Sequence, residues 1–401
     1  MRDTKSLGST RQNSLDAAID ARLAEIDSGS YRATSATVLS DFSWFLREQR
    51  GIESIDDIEV IDVRRYSQWL RERADDDSDS LSSASACDSG PYWLCVRAFL
   101  GWCVDDERLD SNPAQPNRAQ DPLPENTSEP NRQYWSEDAR ESLLSYVDER
   151  ARAALEVEAE DDVQSEDESV EAATDADHAD VDREQAFRDR ALVEMLALTG
   201  VRGAEIVADP RDDQRNGLNW DDVSLQDGVA SVFGKSREYQ DVPLIDRVVS
   251  VLERHKKSMK PSSDEWPIFV TGHYPSLSAT VREALQERGW DDDEIEDVID
   301  ENEWLDICRE YDITPPALSK NGARSVLKRL SEEADVNVDG EYLKPHGGRR
   351  GLGSELYAKD AELTQELLRH QSIETTHESY REERTKENRE RVDQILSDDT
   401  S

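Results

Sequence analysis

Pro345-His346-Gly347-Gly348-Arg349-Arg350 and Leu367-Leu368-Arg369-His370-Gln371-Ser372-Ile373-Glu374-Thr375-Thr376, with Tyr380 just beyond, stand near the end of a chain of 401 residues. Upstream lies Leu198-Thr199-Gly200-Val201-Arg202-Gly203-Ala204-Glu205-Ile206. Cations are outnumbered and imidazoles few here: 91 acidic residues face 48 basic ones and six histidines, a formal net charge of -43. Three boxes that gather arginine, histidine and one tyrosine in such a chain therefore read as a site for an anion.

The chemistry that fits is phosphodiester cleavage. Breaking that bond without metal or water needs a nucleophile at phosphorus, cations on the non-bridging oxygens and an acid for the leaving oxygen. Arginine suits the second role, because its planar fork donates two bonds to phosphate and stays charged. Tyrosine suits the first, because its phosphodiester stores the bond for a second strand to attack.

Working outward, the chain reads as mainly α with a small β-hairpin or sheet. Residues 1–14 read as a flexible start. Residues 15–115 read as a helical domain: Val38, Leu39, Phe42, Phe45 and Leu46 recur at helical spacing, and so do Val63, Tyr66, Trp69 and Leu70, then Trp93, Val96, Phe99 and Leu100. An acidic, Ser-rich loop, 75–83, separates the second and third patterns. Residues 116–133, rich in Pro, Asn, Gln and Glu, read as a linker. A second domain, 134–385, opens on helices over about 136–156 and 184–200, with an acidic solvated insertion, 156–182, between them. Segments 217–220, 229–233 and 239–244 alternate like short strands around Gly234. A second acidic stretch, 291–303, lies between Trp290 and Trp304. Residues 386–401 read as a tail or docking helix.

The acid is spread along the whole chain, which points to a cytoplasm of molar salt, where a carboxylate surface stays hydrated and repulsion is screened. Cys87, Cys95, Cys103 and Cys308 lack metal-ligand clustering and read as small core residues. The opening residues are polar and no apolar run nears the roughly 20 residues of a membrane span. A cytoplasmic protein with reduced thiols is expected.

On these boxes the chain resembles the tyrosine recombinase (phage integrase) family, of a haloarchaeal type, over most of residues 30–385. Arg202 matches the first catalytic arginine, with Glu205 the acid that follows it. Trp220-Asp221-Asp222-Val223, Val232-Phe233-Gly234-Lys235 and Val242-Pro243-Leu244 look like the family's β-hairpin, and Lys235 its leaving-group acid. His346 and Arg349 match the His-x-x-Arg box, His370 the second imidazole and Tyr380 the nucleophile. The resemblance implies a two-domain clamp, in which a helical core-binding domain and an α+β catalytic domain close on double-stranded DNA. It implies a site-specific recombinase or integrase working through a 3′-phosphotyrosyl bond as a tetramer on two sites, with no metal, nucleotide or other small-molecule cofactor and no membrane partner. Candidate DNA contacts are Arg324, Lys328, Arg329, Lys344, Arg350 and Arg369, with Arg32, Arg47, Arg64 and Arg65 in the first domain.

Two features depart from the family pattern. Arg369 replaces the usual glycine before the second imidazole, which suggests an exposed helix end within reach of phosphate. The step from His370 to Tyr380 is one residue longer than usual, which suggests a bulge in the turn that presents the tyrosine. Two alternatives stay open: a DNA-binding protein that keeps the fold without cutting, and a relaxing enzyme of the type IB topoisomerase kind.

Overall fold

A computed structural model describes residues 13–27, 29–76, 78–126, 132–164, 172–370, 372–377 and 380; the side chains of 156–164 and 172–182 lie outside the description. The chain divides into two compact units, Met1–Asn131 and Arg132–Ser401.

The first unit is helical: α1 (Leu15–Ala24), α2 (Gly29–Phe45), α3 (Val60–Ala74), α4 (Ser83–Ala86), α5 (Pro91–Asp105) and α6 (Asn117–Gln120). The apolar positions spaced three and four apart on α2, α3 and α5 turn one face of each helix inward. Phe42, Tyr66, Trp93 and Phe99 are fully buried together, and Phe42 meets the edge of Tyr66 at a centroid distance of 4.8 Å. Cys95 and Cys103 belong to this core. Burial pushes the Cys103 thiol up to about 12, so it behaves as an apolar group. The expected linker starts later than 116. Helix α6 packs on α3, Ala119 is fully buried, and the Ser67 hydroxyl donates to the Ala119 carbonyl at 2.7 Å. Polar composition concealed those few apolar anchors. Arg47 is ion-paired with Asp16; Arg32, Arg64 and Arg65 are exposed.

The second unit is built on α7 (Glu137–Gln164) and α8 (Ala172–Leu198). The described backbone is thus helical well into the expected insertion, although its centre, 165–171, lies outside the described residues. Ala191 to Ala197 are almost all apolar and buried on every side, which makes α8 the central helix. After α9 (Gly203–Ile206) comes an antiparallel meander of β1 (Val223–Ser224), β2 (Val229–Phe233) and β3 (Tyr239–Pro243). Ala230 faces Val242, and Phe233 faces Tyr239 at the turn. Residues 217–220 are not a strand: only Asn219 makes a bridge, to Pro267, and a 3₁₀ turn follows.

Helix α10 (Asp246–Met259) then packs on α8, followed by α11 (Tyr274–Glu287), α12 (Asp292–Glu301) and α13 (Trp304–Glu310). The second acidic stretch is therefore an ordered helix, started by Asp291 accepting from the Glu294 amide at 2.9 Å and anchored by fully buried Ile295. Helices α14 (Lys320–Glu333), α15 (Pro345–Lys359) and α16 (Ala361–Leu368) complete the unit. Residues 386–401, the expected docking segment, lie outside the described residues. No described helix is long and apolar enough to cross a membrane.

Candidate active site

Helix α15 carries the His346 box, and its start follows from sequence: Lys344 is the N-cap and Pro345 takes the first helical position, where its missing N–H costs nothing. The helix must lie close to two neighbours. A side chain on Gly347 would come within 2.5 Å of the Trp135 ring, and one on Gly348 within 2.5 Å of the Leu196 carbonyl on α8. The Trp135 indole donates to the Lys344 carbonyl at 2.9 Å, and its amide donates to the Gly347 carbonyl at 3.1 Å. Small residues at these positions therefore let the box sit flat against the core.

That seating turns Arg349 inward, where it is 3% exposed. Its guanidinium donates to the carbonyls of Gly200 and Leu368. Arg349 thus joins the turn that leads into Arg202 to the end of α16, which leads into His370. Burial and the charge of Arg202 push it down to about 9, so it remains a cation at neutral pH. Gly200, at φ 69, makes the turn. Arg202 caps α9; its amide donates to Glu205 Oε2 at 2.8 Å and its Nη1 to Glu205 Oε1 at 2.7 Å. The Arg202 side chain is 24% exposed, against 1% for Glu205.

His370 Nδ1 lies 2.8 Å from the Thr376 hydroxyl. Burial, then Arg349 and Arg202, push His370 down to about 4, so the ring is neutral over the physiological range. His346 is also pushed down to about 4, by the surrounding protein and by Arg350, Arg349 and Arg202. Its ring surface is exposed at the cleft. Water reaches it there, and the three arginines disfavour a further positive charge on the ring. Tyr380 is 3% exposed and sits with Tyr357 and Leu368. Gly353 leaves room for it, since a side chain there would collide with the Tyr380 hydroxyl.

The structure therefore brings together Arg202, His346, Arg349, His370 and Tyr380. It does not bring in Lys235, which stands exposed in the β2–β3 turn without an ion pair among the described residues. Of the DNA candidates, Arg324 and Lys344 line a groove with Arg202 and His346. Lys344 is also paired with Glu341. Lys328 is exposed, with Glu332 at 3.8 Å, and Arg350 lies 6.0 Å over the Tyr134 ring.

Arg329 and Arg369 both have carboxylate partners that the sequence did not reveal. Arg329 is engaged by buried Asp189 and by Glu333, so it locks α14 to α8. Burial alone would raise Asp189, but Arg188, Arg329 and Arg150 more than offset it and hold the carboxyl low. Arg369 does not lie at an exposed helix end: its backbone is left-handed, φ 51, and its side chain is 9% exposed and bound to Glu205. Sequence reasoning also missed Lys320, which lines the same groove while paired with Asp209. Its place at the start of a basic helix was the available signal. No group of three His, Cys, Asp or Glu side chains converges on a metal site among the described residues.

The family model described as Phage integrase family matches residues 166–387, more than half of the chain. Tyrosine recombinase XerC of Neisseria meningitidis serogroup B is 27% identical over 193 residues, 48% of this chain and 46% of that protein. Tyrosine recombinase XerD of Staphylococcus epidermidis is 26% identical over 199 residues, 49% of this chain and 51% of that protein. The chain spans about half the length of these curated relatives. Among solved structures, the XerH site-specific recombinase bound to palindromic difH substrate aligns with a TM-score of 0.53 at 14% identity, covering 91% of this chain and 79% of that one. The Tn1549 transposon integrase in complex with circular intermediate DNA aligns at 0.52 and 14% identity, covering 92% and 95%. A lambda integrase dimer bound to a core site aligns at 0.51 and 13%, covering 95% and 81%. At such identities these likenesses concern the fold, which is mainly helical with one small sheet in this chain as well.

Proposed function

Since the chain belongs to the phage integrase family, we propose that it is a site-specific DNA recombinase that cuts and rejoins strands through a 3′-phosphotyrosyl bond to Tyr380. The observation that carries this reading is the convergence of Arg202 and Arg349, two neutral imidazoles and Tyr380 on one site.

Arg202 and Arg349 hold the non-bridging oxygens of the scissile phosphate, whose charge grows in the crowded transition state. The Tyr380 oxygen attacks phosphorus, the P–O5′ bond breaks, and the phosphate stays on the enzyme. His346, held neutral, accepts the tyrosine proton. Lys235 delivers a proton to the 5′ oxygen when DNA brings the hairpin turn to the site. A 5′ hydroxyl from a partner duplex reverses the steps, so the bond energy is conserved and the scheme draws on no metal or nucleotide. Arg349 and Tyr380 are covered in this state; phosphate reaches them only after the segment carrying Tyr380 shifts.

DNA runs along the groove of Arg202, Lys320, Arg324, Lys344 and His346. An acidic protein can bind it because at molar salt the Debye length is roughly 3 Å, and distant carboxylates are screened while direct contacts persist. We place the protein in a halophilic cytoplasm, acting as a tetramer on two double-stranded sites. The test is a duplex selected from a random-sequence pool by binding, then nicked to trap the intermediate. In molar KCl the protein should form a covalent adduct, and Tyr380→Phe should bind without forming one. Binding without any adduct from the unmodified protein would favour a non-cutting DNA-binding protein. Plasmid relaxation without a partner site would favour a topoisomerase.

A further inference from the structure

Glu205 is buried and accepts from two guanidinium groups: Arg202 Nη1 at 2.7 Å and Arg369 Nη2 at 2.5 Å. Arg369 is an unusual occupant of its place. Its backbone, φ 51 and ψ 47, lies in the left-handed region, where glycine sits without strain and an arginine does not. Its side chain is nine-tenths buried, and two of its donors, Nε and Nη1, are shut off from solvent with no hydrogen-bond partner. A residue selected for local packing would be neither charged nor left with unmet donors.

We propose that Arg369 is a positioning residue that balances the charge of Glu205, so that the cluster around Arg202 keeps a net positive charge for phosphate. Arg202 and Glu205 alone sum to zero, and a carboxylate 1% exposed would cancel much of the attraction Arg202 offers to an anion. Adding Arg369 returns the trio to a net charge of +1, and Glu205 can still orient Arg202 through its amide and Nη1. Burial pushes Arg369 downward and Arg202 adds to this, while Glu205 opposes them. The trio also ties the Arg202 box to the turn that carries His370. Arg369 acts through Glu205 and need not touch DNA.

This assignment rests on the recombinase reading, and the experiment separates the two. Adduct formation on the nicked duplex is timed for the unmodified protein, Arg369→Met, Glu205→Gln and the double variant, with DNA affinity and thermal unfolding measured for each. Arg369→Met should bind DNA and slow adduct formation by about tenfold or more. Adding Glu205→Gln should restore much of that loss, because it removes the charge that Arg369 balanced. Arg369→Lys, which keeps the charge, should stay close to the unmodified rate. Should Arg369→Met fail to fold, Arg369→Gly, unstrained at this backbone angle, takes its place in the cycle. Adduct formation at the unmodified rate without Arg369, or a double variant no faster than the single one, would overturn the assignment and leave the recombinase reading standing. An unmodified protein that binds its duplex and forms no adduct would overturn both.

Discussion

The ring of Tyr380 lies against the ring of His370, centroids 6.4 Å apart and planes 17° apart. His370 is held in turn by Thr376, on the segment that leads to the tyrosine. His370 and Tyr380 therefore sit side by side, with His370 tied to Thr376.

Arg349→Ala should slow strand cleavage by about 10²–10⁴-fold with a much smaller loss of DNA affinity, since its charge is used most in the transition state. Arg349→Lys should recover little, because one ammonium cannot reach the carbonyls of Gly200 and Leu368 together as the guanidinium does. Single-turnover cleavage and equilibrium binding on the same duplex check the split. Loss of binding in proportion to cleavage would point to a structural role.

Gly348→Ala should destabilise the second unit by about 1–3 kcal/mol, because the added methyl meets the Leu196 carbonyl of α8 and α15 must lift away. Arg349 moves with the helix, so cleavage should fall as well. Chemical unfolding and cleavage assays should show both effects; a variant as stable and active as the parent would show that the close approach is unimportant.

Lys235→Ala should be slow on ordinary DNA and close to the parent on DNA with sulfur in place of the 5′ bridging oxygen. A thiolate leaves without a proton, so the general acid becomes unnecessary. An equal defect on both substrates would remove Lys235 from the leaving-group role.

His255 should give stability a pH dependence independent of catalysis. It is fully buried, its Nε2 bonds to the Ile268 carbonyl at 2.7 Å, and burial pushes it down to about 4. Once unfolded it titrates near 6.5, so between about 4 and 6.5 the unfolded chain binds the extra proton. Stability therefore falls as pH is lowered through that window, by up to about 3 kcal/mol. In His255→Phe this contribution should vanish, seen as a flatter slope of unfolding free energy between pH 6.5 and 4. An unchanged slope would assign the effect to carboxylates.

Much of the helical framework was legible because a 3.6-residue repeat is a local property, and Phe42, Tyr66 and Phe99 met where that repeat placed them. The boxes were legible because they set imidazoles, of which the chain has only six, at close spacing beside arginine and tyrosine. What failed was long-range or conformational. Arg329 reads as a surface cation until α14 meets Asp189, far away in sequence on α8. Arg369 reads as exposed until the left-handed turn folds its side chain back onto Glu205. Lys235 shows the reverse: its box is recognisable in sequence, yet it stands exposed in the β2–β3 turn without an ion pair among the described residues.

The most direct measurement maps the covalent bond itself. The adduct formed on nicked duplex in molar KCl is digested with nuclease and protease, and the peptide carrying a nucleotide is sequenced by mass spectrometry. The account predicts the nucleotide on Tyr380 and no adduct in Tyr380→Phe. A nucleotide on Tyr357, or on any other residue, would contradict it.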